Sequence, residues 1–276
     1  AVVAPGVEHV SVLYSQVAVT EAVAWFDTVW GRDPAAVPVP ARGLWLLVLL
    51  ASLVACARGL AFRLPVLSAT PAGACLPRSR FALVAVVPAL LVPLVLWPMP
   101  THVLPVLVAD YLGFHFAAYG LITSGLLAVM AANGQSRTPT LGHSPPVVAG
   151  RILLPAALAL LYGLGVFALV IDRWLTSFVL TPERWSLFWA LLPGLIVYFL
   201  ADAWATHGAG SGWQRSWATR SLFLLSVGIA VALDFEALFF LIIILPVIVL
   251  FFLVYGLMAG WVTRRTGHPA VSALAS

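Results

Sequence analysis

Residues 237–262 read ALFFLIIILPVIVLFFLVYGLMAGWV, and no charged side chain interrupts them. A bilayer core needs about 20 apolar residues per helix, and this run exceeds that. The same signature recurs upstream, at 44–62, 81–99, 103–131, 151–171, 186–206 and 219–234. The spacing predicts seven membrane spans. The third is long enough to tilt or to extend past the bilayer, and the sixth is short. Spans six and seven are separated by DFEA at 234–237, which predicts a tight helical hairpin.

Composition agrees with this reading. The chain has 276 residues, 62% apolar and 9% charged, with a mean hydropathy of +1.06. An ordinary soluble domain carries about 25% charged residues, so a soluble globule is excluded. The fold class expected is an all-α polytopic membrane protein of about seven transmembrane helices. Its partner is the lipid bilayer. All fourteen basic residues are arginine and they are scattered, so no basic patch points to nucleic acid.

Orientation follows from the excess of basic residues in cytoplasmic loops. With the N-terminus outside, ten arginines fall inside: Arg58, Arg63, Arg78, Arg80, Arg137, Arg151, Arg215, Arg220, Arg264 and Arg265. Four fall outside: Arg32, Arg42, Arg173 and Arg184. The expectation is therefore N-terminus outside and C-terminus cytoplasmic. Short loops and arginine-only basicity suit a bacterial inner membrane.

Residues 1–33 follow a different pattern. AVVAP is a short valine-rich run consistent with a buried strand. Pro5-Gly6 ends it, and VEHVSVLYS forms a loop. In VTEAVAWFDTVWGR, Val19, Ala22, Val23, Phe26, Val29 and Trp30 make one apolar helix face. Ser15 or Thr20 can cap that helix, and Gly31 suits its C-terminal stop. One strand is not stable alone, so this segment requires a sheet outside residues 1–33.

The order of strand, Pro-Gly turn, histidine loop and aromatic helix resembles the closing segment of an α/β-hydrolase domain. The resemblance covers about the first 32 residues. In that family the catalytic residues come in chain order Ser, then Asp or Glu, then His. It implies that His9 is the general base of a triad, moving a proton between a serine and the leaving group. An ester or lipid-like acyl substrate would follow. No G-x-S-x-G elbow occurs; the nearest string, GAGSG at 208–212, has the wrong spacing. The chain taken by itself is thus expected to be inactive.

The domain reading is 1–33 as the hydrolase remnant, 34–43 as a Pro-rich linker, 44–262 as the membrane domain and 263–276 as a cytoplasmic tail. Two other functions remain open: a transporter or channel, and a non-catalytic scaffold. Pro88, Pro93, Pro105, Pro155, Pro193 and Pro246 lie inside the predicted spans and keep the transporter reading open.

Ionisable residues within spans are costly. Asp110, His115, Asp202 and His207 are the candidates. At ~1.5 Å per residue, Asp110 lies about 10 Å and Asp202 about 24 Å along their spans, near opposite faces. Tyr111, His115 and Tyr119 fall on one helical stripe, read as a packing face or as part of a small polar cavity. Cys56 and Cys75 have no disulfide or metal spacing. No H-E-x-x-H, CxxC or phosphate-cradling glycine loop occurs, so neither metal nor cofactor is expected.

Overall fold

The computed structural model describes residues 3–7, 12, 15–33, 43–134, 149–174 and 179–275. The chain falls into two units, Ala1–Ser52 and Leu53–Ser276. Residues 34–42 and 135–148 lie outside the described residues.

In the first unit, helix α1 spans Gln16–Val29. Ser15 is its N-cap, the side chain accepting from the Ala18 backbone N–H at 3.4 Å. The helix stops at Gly31, whose φ of +65° is open to glycine without strain. No residue of α1 is buried. Among the described residues no strand forms; Val3 and Ala4 belong to no regular element. The expected strand over 1–5 is therefore corrected. A strand needs a ladder partner, and the described residues supply none.

Seven helical segments among the described residues are long and apolar enough to cross a membrane. They are α2 (Gly43–Ala61), α3 (Arg78–Leu96), α4 (Ala109–Ala132), the segment Gly150–Trp174, the segment Pro182–Thr206, α8 (Trp213–Leu233) and α9 (Phe235–Thr266). The fourth comprises α5 (Ala149–Leu160), a π-helical turn (Leu161–Phe167) and α6 (Ala168–Trp174). A 3₁₀ turn, Pro182–Arg184, leads into α7 (Trp185–Thr206). This is an integral membrane protein.

Two span boundaries differ from the sequence reading. The third span begins at Ala109, not 103. Pro105 disfavours helix for the residue before it, and the Asp110 carboxylate captures the Val103 and Leu104 N–H groups at 2.8 and 3.2 Å. The sixth span is not short: it starts at Trp213 and takes in two arginines. Arg215 reaches the carbonyl of Leu76, in the loop just before α3, at 2.7 Å. Arg220 is neutralised within the bundle by Asp202. The hairpin between the last two spans is tight, with Asp234 alone between α8 and α9.

Glycine sets the central contact. A Cβ on Gly120 would lie 2.6 Å from the Tyr198 nitrogen, and Cβ atoms on Gly113 and Gly194 would strike the facing backbone. These pairings run in the same order along both helices, so α4 and α7 are parallel and nearly touch. Small residues permit such approaches in membrane helices. Around them Phe116, Tyr119, Tyr198, Phe223 and Phe252 form an aromatic core, with Phe116 and Phe223 stacked at 4.6 Å. After Gly267, at φ +73°, a short helix α10 (Pro269–Ala275) packs against α5, α7 and α9.

Candidate functional site

His9 lies outside the described residues. Beside it in sequence, Pro5 and Gly6 form a turn, and Gly6 adopts φ +69°. The turn and the capped helix α1 form as the sequence implies.

Asp110 and Asp202 stand at opposite ends of the parallel pair α4 and α7. Asp110 opens α4 and is 3% exposed. Its carboxylate accepts from Val103 and Leu104 and so ties down the loop between α3 and α4. That loop carries His102, whose Nδ1 lies 3.9 Å from Asp110 Oδ1. It also carries Leu107 at φ +56°, a left-handed conformation that costs a leucine free energy.

A cavity of about 260 Å³ opens beside this loop, lined by Trp97, Thr101, His102, Tyr111, Asp234 and Leu238 among others. Asp234 also caps α9, accepting from Ala237 N–H at 3.3 Å. Imidazole and carboxylate at one mouth can accept protons or hydrogen bonds from a small polar solute.

His115 is fully buried. The Tyr111 hydroxyl sits 3.5 Å from its Nδ1, and the ring packs edge-on against Phe223 at 5.3 Å. Tyr119 turns away and donates to the Ala85 carbonyl at 3.2 Å. Of the two readings of this stripe, the packing face is the one the geometry matches, although His115 Nε2 has no partner among the described residues.

At the other end, Asp202 accepts from the Thr219 hydroxyl at 2.5 Å and faces Arg220 Nη2 at 3.6 Å from Oδ2. His207 follows one turn later, its Nδ1 3.1 Å from the Ala203 carbonyl. Burial pushes the His207 imidazole below its usual range, despite nearby Asp202. Among the described residues no three His, Cys, Asp or Glu side chains gather as a metal site. Gly208, in the GAGSG string, serves a close backbone approach to Ala74.

Sequence reasoning missed the Asp202–Arg220 pair and the placement of His102. The first has no local signal: Arg220 sits between Thr219 and Ser221, and its carboxylate comes from another span. The second depends on how the Pro-rich loop folds back, which no periodicity encodes.

No protein-family model matches the chain, and no curated protein or solved structure matches it.

Proposed function

We propose that this chain is the membrane-embedded part of a serine hydrolase. Residues 1–33 close an α/β-hydrolase domain, and His9 is the general base that relays a proton between the nucleophilic serine and the leaving group. The nucleophile and the acid belong to the part of that domain outside these residues. The seven spans hold it at the outer face of a bacterial inner membrane, where ester or lipid-like acyl substrates are concentrated.

One observation carries this reading. Helix α1 has a capped start and a glycine stop, yet Trp25, Phe26, Val29 and Trp30 are all exposed. A helix of this length is marginal in water by itself. An uncovered aromatic face of this kind is what a helix offers to a sheet. The orientation rests on charge: Arg215 and Arg265 bind the carbonyls of Leu76 and Leu64, in the loop between α2 and α3, at the opposite end of the bundle from Asp110 and Asp234.

The test substitutes Phe26→Ser and Trp30→Ser together in the protein expressed from its complete coding sequence. Labelling by a fluorophosphonate probe should fall to background while the spans still insert. Undiminished labelling overturns the proposal.

A second reading, a solute carrier, draws on the His102 cavity. It requires uptake by reconstituted vesicles that is lost in His102→Ala and unchanged in His9→Ala.

A further inference from the structure

We propose that the junction of α7, α8 and α9 binds a phosphate group. A cavity of about 100 Å³ lies there, lined by Ser211, Trp213, Ser216, Arg220, Gly260 and Arg264 among others. At ~30 Å³ per water it has room for about three waters, which is the scale of one tetrahedral oxyanion.

Its donors are arranged for such a group. The Arg220 side chain is 9% exposed, and its guanidinium is incompletely used. Nη1 donates to the Phe252 carbonyl at 3.3 Å, Nη2 faces Asp202, and buried Nε has no acceptor among the described residues. The buried Ser211 hydroxyl also has no partner among the described residues. A buried donor without an acceptor costs about 1–3 kcal/mol, so two of them at one cavity favour an acceptor-rich ligand.

Helix α8 begins beside them at Gly212 without a side-chain cap, so its first N–H groups and its positive dipole end add to the same field. Arg264 supplies a second cation, and among the described residues it pairs with no carboxylate. Two guanidiniums, Arg220 and Arg264, line the cavity, and of the two only Arg220 is matched by a carboxylate, Asp202, so the site is net positive.

Glycine makes room for this arrangement. Any Cβ at Gly256 would strike the Arg220 guanidinium. Trp213 and Trp217 sit on the first turns of α8, and Trp213 is 67% exposed. Tryptophan at a span end marks headgroup depth. The phosphate therefore comes either from an anionic lipid headgroup or from solution.

The experiment measures thermal unfolding of the purified full chain in phosphatidylcholine nanodiscs. One arm adds inorganic phosphate against chloride at matched ionic strength. The other replaces part of the phosphatidylcholine with phosphatidate. A saturable rise in the midpoint in either arm is expected, and the arm that responds identifies the source.

Arg264→Gln, at an exposed position, and Ser211→Ala should each weaken the apparent affinity, Arg264→Gln by about tenfold or more. Gly260→Leu should fill the cavity and abolish the response. A flat midpoint in both arms overturns the proposal. So does a rise that Arg264→Gln and Ser211→Ala leave undiminished.

Discussion

Arg220 Nη2 lies 3.6 Å from Asp202 Oδ2 inside the bundle, with side chains 9% and 4% exposed. The pair joins α7 to α8, and the Thr219 hydroxyl completes the carboxylate's shell. Removing one partner leaves an uncompensated charge, which typically costs about 3–5 kcal/mol. Asp202→Leu and Arg220→Leu should each lower the unfolding midpoint in detergent sharply. The double variant should recover much of the loss, because an apolar pair leaves no buried charge. Equal and additive losses would show that the pair is not coupled.

The α4–α7 contact depends on absent side chains. Gly194→Val should destabilise the bundle by about 1–3 kcal/mol or more through overpacking, since the Gly113 and Ala117 backbones stand in the way. Gly125→Ala meets nothing within 4 Å and should be neutral or mildly stabilising, given alanine's higher helix propensity. Chemical unfolding of both variants in one micelle type makes the comparison.

Asp110 is predicted to hold the α3–α4 loop. Asp110→Ala removes the shared acceptor of the Val103 and Leu104 N–H groups, and hydrogen bonds to a charged group are worth about 1.5–3 kcal/mol. Hydrogen exchange at 101–108 should speed up while α7 and α8 keep their protection. Unchanged exchange in the loop would remove this role from the carboxylate.

Acid should loosen the end of the bundle that holds His207 and His268. Burial lowers the pKa of both imidazoles, and His268 Nδ1 accepts the Ala270 N–H at 3.3 Å, so it is needed unprotonated. A histidine whose folded pKa is depressed contributes full stability above the unfolded value of about 6.5 and loses it as pH falls below that. The unfolding midpoint should therefore drop between pH 7 and pH 5, and His268→Gln should flatten part of that slope. A midpoint independent of pH would contradict the assignment.

The spans were legible because lipid contact demands unbroken apolar runs, and 237–262 can be read in no other way. The α1 cap and stop were legible for a local reason: Ser15 and Gly31 act within their own helix. Interactions between distant segments were not. Arg220 reads with the loop arginines, since nothing nearby in sequence shows that Asp202 reaches it. Helix α4 was started too early, because the apolar run from Val103 conceals a loop that Asp110 folds back. The strand at 1–5 was drawn from composition alone, and a ladder needs a second strand that composition cannot supply.

Orientation can be checked with single cysteines in a Cys56→Ser, Cys75→Ser background. A membrane-impermeant maleimide should label His102→Cys on intact cells. It should label Arg78→Cys, at the arginine-rich end, after lysis alone. The opposite pattern would reverse the topology and place α1 inside.

His9 is proposed to serve a hydrolase held to a membrane by these helices. The most direct measurement is fluorophosphonate labelling of membranes containing the protein from its complete coding sequence, as wild type and as His9→Ala. The wild type should label strongly and the variant at least a hundredfold less, within the range expected for loss of a general base. Equal labelling of the two, or none of the inserted wild type, would contradict it.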